Sequence, residues 1–139
     1  MKIITDYVAI STKGRTDIVD ITGEVANLLI KTGLNSGILT VFISGSTAAV
    51  TTIEYEPGLL QDLPEVFEKI APMAKRYHHD ATWGDGNGYA HVRAALVGAS
   101  ESIPFQDGRM LLGTWQQIVV IDFDNRARNR EIVVQIMGD

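Results

Sequence analysis

All three histidines of the chain, His78, His79 and His91, fall in one stretch, "RYHHDATWGDGNGYAH" from Arg76 to His91, together with Asp80, Asp85 and Asn87. Imidazole nitrogens and carboxylate oxygens are the donors that divalent metals use, and imidazole is also the group that exchanges protons near neutral pH. Eleven residues separate His79 from His91, so a loop can fold back and bring two imidazoles together with one or two oxygen donors. The spacing permits a site without dictating one, because the helical zinc signature of two histidines four residues apart is absent. His78 and His79 point in opposite directions on an extended chain, which leaves one of them to face a site. The segment "DGNG" is equally an ordinary turn formula, so a ligand site and a plain polar loop both stand as readings. Trp83 in this stretch needs something to pack over, and the core or a second subunit is the simpler expectation than a flat ligand.

Three further segments carry chemistry. In "ISGSTAAVTTIE", Ser44, Gly45, Ser46 and Thr47 offer hydroxyls and a glycine that lets backbone amides converge on a phosphate or carboxylate; a tight turn of small residues is the alternative. The lysine and spacing of a phosphate-binding Walker loop are missing. Glu54, on the strand that follows, is a carboxylate among apolar neighbours, a candidate base or metal ligand, or else a surface group. In "DGRMLLGTWQQI", Gly113 and Trp115 suggest close backbone packing, and the amide of Gln116 can both donate and accept. Arg126, Arg128 and Arg130 alternate in "DNRARNRE", where a solvated hairpin is preferred over a phosphate clamp.

The elements that must position these groups follow from periodicity. "KIITDYVAIST" and "DIVDI" read as strands around the turn "KGRTD". Thr22 is placed to cap a helix with Val25, Leu28 and Leu29 on one face and Gly33 at its end. "GILTVFIS" and "AVTTIEYE" read as two strands joined by a tight loop. Leu59, Leu60, Leu63, Val66, Phe67 and Ile70 predict a helix over Pro64–Met73, with a looser turn ahead of it, since proline belongs in a first turn. "YAHVRAALVG" predicts a short helix stopped by Gly98, with Val92, Ala95 and Leu96 on a shared face. "ESIPF" and "RMLLG" flank the turn "QDG", and "WQQIVVIDFD" and "REIVVQIMG" flank the arginine-bearing turn. Segregated helices and antiparallel hairpins make this α+β.

Composition narrows the function further. The chain has 139 residues, of which 45% are hydrophobic, which is enough for one domain and too little for two. With no cysteine, disulfides, thiolate metal sites and cysteine nucleophiles are excluded. A net charge of −5 argues against a nucleic-acid surface. No apolar run is long enough for a membrane span and the start lacks a signal-peptide pattern, so a cytoplasmic protein is expected.

Together these segments resemble the YjbQ family, whose members are often labelled secondary thiamine-phosphate synthase enzymes. The resemblance rests on "STAAVTTIE" at Ser46–Glu54, "YHHDATWGDGNGYAH" at Tyr77–His91 and, most specifically, "SESIPFQDGRMLLGTWQQI" at Ser100–Ile118. It implies an α+β fold with a sandwich of antiparallel sheets and two to three helices over residues 1–139, assembled as a homotrimer with polar sites near subunit contacts. Carried over position by position, it implies His79 and His91 as ligands of a divalent metal, zinc or magnesium, or of a phosphate. It also implies Glu54, His79 and Asp85 as catalytic groups and Ser46, Thr47, Asn87 and Gln116 as contacts of a substrate or anion. Gly45 departs from the pattern, since many members carry a histidine there. The implied activity joins a pyrimidine pyrophosphate to a thiazole phosphate with loss of pyrophosphate, a reaction whose departing charge a cation or donor cluster stabilises. The expectation is therefore a metal-assisted enzyme acting on a small phosphorylated substrate. The alternative, which Gly45 favours, is a non-catalytic trimeric protein that binds a ligand or anion.

Overall fold

The computed structural model describes residues 1–139. The chain runs β1 (Lys2–Thr12), β2 (Asp17–Asp20), α1 (Thr22–Thr32), β3 (Gly37–Ile43), β4 (Ala48–Ile53), α2 (Pro57–Ile70), α3 (His78–Trp83), α4 (Gly88–Val97), β5 (Ser100–Gln106), β6 (Arg109–Met110), β7 (Gln117–Asp122) and β8 (Arg128–Gly138). The strands form two antiparallel sheets, one ordered β1-β8-β3-β5-β6 and the other β2-β7-β4. The architecture is α+β, as expected.

The unbroken apolar run of β7 shows how the layers stack. Ile118 and Val120 enter a core shared with Leu39, Val41, Ile132 and Val134 of the larger sheet and with Val25 and Leu29 of α1. Val119 and Ile121, pointing the other way, join Phe123 in a second core against Phe67 of α2 and Tyr89, Ala90 and Ala94 of α4. A central strand buried on both faces has no polar side to show, which is why its sequence does not alternate. Each such Ile or Val contributes about 1.5–3 kcal/mol by leaving water.

Two tight connections, of which only the arginine-bearing one was expected as a hairpin, do something else. β3 and β4 lie in different sheets, and so do β7 and β8, so Ser44–Thr47 and the arginine-bearing turn each carry the chain from one sheet to the other. The connection from β1 to β2 is a third such crossing. All three meet at one end of the sandwich: Arg15 and Thr16 donate backbone bonds to Asp124 and Asp122, at 2.7 and 2.8 Å, and Phe123 donates to Thr47 at 3.0 Å.

The helices also depart from expectation in instructive ways. α2 begins at Pro57 instead of Pro64, because Glu56 caps it by accepting from the amides of Gly58 and Leu59 at 2.8 and 2.5 Å. Pro64 sits inside the helix, and the helix ends before Pro72 because the residue preceding a proline avoids the helical region. Thr22 is not a cap. Its hydroxyl donates to Asp20 at 2.6 Å and accepts from the amide of Ile118 at 2.8 Å, tying the start of α1 to β7. In α4 the expected face of Val92, Ala95 and Leu96 is exposed, and Tyr89, Ala90, Arg93 and Ala94 are buried instead. Arg93 explains the reversal: its guanidinium is fully buried, donating to Ala71 O, Thr16 Oγ1 and Glu68 Oε2 at 2.8–2.9 Å.

Candidate functional site

The histidine stretch, expected as a loop, contains the short helix α3, and its geometry is set by one carboxylate. Asp80 accepts from the amide of Tyr77 at 3.1 Å and from the amide of Gly88 at 2.9 Å, so it ties the start of α3 to the start of α4. Both bonds favour the charged carboxylate and hold its pKa below the usual range. Gly88 is required by contact, since a Cβ there would stand 2.5 Å from Cβ of Tyr77. The loop between the helices is anchored on the arginine-bearing turn: Asn125 donates to the carbonyl of Asp85 at 2.7 Å, and Asn87 donates to Asp124 at 3.4 Å.

These ties bring His79 and His91 together, with ring centroids 4.1 Å apart and planes tilted by 43°. His79 turns inward and His78 is exposed, which resolves the choice between them. Nε2 of His79 is buried without a hydrogen-bond partner, and the nearest carboxylate oxygen, of Asp85, is 3.7 Å away, beyond bonding distance. Burial pushes the pKa of His91 below its ordinary 6.5, and a charged His79 would push it further, against the opposing pull of Asp85, Asp124 and Asp80. At neutral pH His91 is therefore an uncharged imidazole, able to accept a proton.

His91 opens on a hollow of about 350 Å³ whose opposite wall includes Gly45 and Ser46, with Ala94, Ala95 and Gly98 along the α4 side. Of the two hydroxyls expected to hold an anion, only Ser46 is accessible. Thr47 is buried and committed, donating to Asp124 at 3.1 Å and accepting from Arg130 at 2.8 Å. Gly45 has a φ of 103°, a conformation that side-chain-bearing residues rarely adopt, so a histidine at this position needs a different turn.

Behind this wall lies a polar cluster whose arginines were expected in a solvated hairpin. Asp122 pairs with Arg130, and Asp124 with Arg128 at 2.5 Å. Burial pushes both carboxyls up, but the hydrogen bonds from Arg130 and Thr12 to Asp122, and from Arg128, Asn125 and Thr47 to Asp124, outweigh it and hold both pKa values below the usual range. Asp122 and Asp124 were not singled out from sequence. The signal was present: two carboxylates closing an otherwise apolar strand have to find cations, and the alternating arginines are the next charges in the chain.

Glu54 and Gln116 do not join the site. Ala48 pairs with Asp122 at one end of β4 and Ile53 with Gln117 at the other. At about 3.3 Å per residue, Glu54 lies roughly 20 Å from the Ser46 turn. It is exposed. Gln116 is a clasp, donating to Thr52 at 3.1 Å and accepting from the amide of Gly113 at 3.0 Å. No group of three or more His, Asp or Glu side chains is arranged to hold a metal ion; the expected ligands His79 and His91 meet ring against ring. Trp83, expected on the core or a second subunit, does not cover the core and is 76% exposed.

The chain is 38% identical over 138 residues to a UPF0047 protein of Methanothermobacter thermautotrophicus, covering 99% of this chain and 94% of that one. It is 34% identical to the UPF0047 protein YugU of Bacillus subtilis, over 93% and 96% of the two chains. Its fold superposes on the crystal structure of a YbjQ-like protein from Sulfolobus solfataricus P2 with a TM-score of 0.94 at 32% identity, covering 99% of both chains. A hypothetical protein from Aeropyrum pernix K1 gives 0.91 at 32%, over 98% and 99%. The profile of the family described as "UPF0047 protein YjbQ-like" matches residues 6–139, and the chain belongs to that family.

Proposed function

We propose that this protein is an enzyme that binds a small phosphorylated molecule in the hollow between the Ser44–Thr47 turn and α4, and that His79 and His91 exchange protons with it. The observation that carries this reading is the buried, unpartnered Nε2 of His79 against the ring of His91. A buried polar nitrogen without a partner costs about 1–3 kcal/mol, a cost that a site retains when the group must be free for a ligand. In this reading Asp85 lends negative charge beside His79 without bonding it, Asn87 fixes the loop through Asp124, and Ser46 contacts the ligand. A divalent cation, which the resemblance implies, would find only the imidazoles of His79 and His91 here, fewer ligands than a resident ion takes from a protein.

The activity that the resemblance implies makes a carbon–nitrogen bond between thiazole and pyrimidine and breaks the bond from pyrimidine to pyrophosphate, which leaves with the electron pair. Thermal-shift screening with phosphorylated pyrimidines and thiazoles, followed by a turnover assay, tests it. The expected result is stabilisation by at least one compound, product formation, and loss of product in the His79→Ala, His91→Ala variant. Metal content is measured on the same two samples, and equal content would remove the cation from the reading. Stabilisation without product favours the second reading, a non-catalytic binder, which Gly45 supports because it stands where many relatives are expected to carry a histidine. In the trimer that the resemblance implies, Glu54 and Gln116 would reach a site only from a neighbouring subunit, since within one chain they stand at the far end of β4.

A further inference from the structure

Arg130 is held on two of its nitrogens and free on the third. Nε donates to Asp122 Oδ2 at 2.8 Å, and Nη2 donates to Asp122 Oδ1 at 2.9 Å and to Thr47 Oγ1 at 2.8 Å. Nη1 donates to no atom of the protein, although the side chain is only 12% exposed. It lies 3.6 Å from the point where a Cβ on residue 45 would stand, and glycine leaves that space open. The same turn presents a second set of free donors. The amides of Ser44, Gly45, Ser46 and Thr47 donate no hydrogen bond within the chain, and Ser44, Gly45 and Ser46 are exposed.

Pairing with Asp122 fixes the plane of the guanidinium, so Nη1 is aimed before any ligand arrives and little freedom is lost on binding. Asp122 and Asp124 would repel an anion if they were unpaired, but each is bound to an arginine. Successive free amides around a glycine of positive φ form a concavity suited to an anion. The donors on offer, several amides and one guanidinium nitrogen, outnumber what the two oxygens of a carboxylate can accept and suit a tetrahedral group with three terminal oxygens.

We propose that Arg130 Nη1 and the backbone amides of Ser44–Thr47 form the seat of a phosphate monoester, with the rest of the ligand lying in the hollow beside His91. This rests on the phosphorylated-ligand reading above and adds that the fixed positive charge of the site is Arg130, a residue placed by Asp122 and admitted to the turn by Gly45.

The test is titration of the ¹⁵N-labelled protein with inorganic phosphate, followed by NMR. The amide signals of Gly45 and Ser46 are expected to move in the wild type. Binding should weaken roughly tenfold or more in Arg130→Lys, as expected for loss of a charge-assisted bond. The double variant Asp122→Asn, Arg130→Gln removes both charges together, so a buried charge is not left alone, and should weaken binding likewise. Equal binding by Arg130→Lys, or shifts confined to Asn87 and Gly88, would overturn the seat while leaving the phosphorylated-ligand reading in place. Absence of phosphate binding in the wild type would overturn both. Circular dichroism on each variant reports whether it is folded, and the wild-type shifts at Gly45 and Ser46 decide the matter even if a variant is not.

Discussion

Asp122 is fully buried, and it holds both the Thr12 hydroxyl, at 2.6 Å, and the Arg130 fork. Replacing it alone, as Asp122→Asn, strands a mostly buried guanidinium and should cost about 3–5 kcal/mol. The same cluster sets the acid limit of the fold. The folded pKa values of Asp122 and Asp124 lie below the ordinary 3.8, so their stabilisation is present in full above that value and is lost as pH falls through the lower folded values. Unfolding followed by circular dichroism should therefore show stability falling below about pH 4, with a shallower fall in the paired Asp122→Asn, Arg130→Gln variant. A flat profile down to pH 2 in the wild type would remove the cluster from this role. At this scale the sequence was legible for residues whose roles are local. His79, His91 and Asp85 do come together, and the hydroxyl turn does wall the hollow beside them. Within one chain Thr47, Glu54 and Gln116 stand apart from the histidines: the Thr47 hydroxyl is committed to Asp124 and Arg130, 77 and 83 positions away, Gln116 is bonded to Thr52, 64 positions away, and Glu54 is exposed.

Among the elements, α3 and α4 hold the histidines, and their approach depends on Gly88. An alanine there would raise helix propensity by about 1 kcal/mol, but its Cβ would meet Tyr77 at 2.5 Å. Sterics should win: Gly88→Ala is expected to destabilise by about 1–3 kcal/mol and to change the NMR shifts of the His79 and His91 ring protons as the rings separate. Gly23, in α1, has nothing within 4 Å of its would-be Cβ, so Gly23→Ala should stabilise by about 0.5–1 kcal/mol and serves as the control in the same denaturation series. If both variants shift stability the same way, contact at Gly88 is not what sets the helix spacing. Periodicity located α1, α4 and every strand, yet it misjudged the inward face of α4, because a buried arginine counts as polar in any pattern. It also took the crossing at the arginine-bearing turn for a hairpin. A tight polar loop between two apolar runs looks the same whether the strands pair or part, and only the packing of β7 between two cores decides.

The whole molecule leaves one broad surface uncovered. On the outer face of the larger sheet, Ile3, Met137, Ile38 and Pro104 stand in one cross-strand row and Tyr7, Val133 and Phe42 in another, with Thr5, Gln135 and Thr40 between them. Ile3, Tyr7, Ile38 and Phe42 are exposed, and an apolar sheet face of this kind is an assembly surface in most proteins that show one. Trp115, 71% exposed at the opposite end of β4 from the histidines, is a further apolar group without a partner in the chain. If this face serves the trimer that the resemblance implies, sedimentation gives a species of three times the 15.2 kDa chain mass, and Phe42→Lys shifts it toward the single chain. A single-chain mass for the wild type at micromolar concentration would sink the trimer. No helix is long and apolar enough to cross a membrane.

The three crossings that meet at one end of the sandwich have a consequence for how the protein is made. Thr12 bonds to Asp122 across 110 positions of sequence, and Arg130 to Thr47 across 83. The proposed anion seat draws on β8, which follows every other element and is itself flanked by β1 and β3. Nearly all of the chain must therefore have emerged from the ribosome before any part of this end can assemble, and its high contact order predicts slow, late closure. Ligand capture would then wait until β8 has joined its sheet, and its appearance would report that this end of the sandwich has closed.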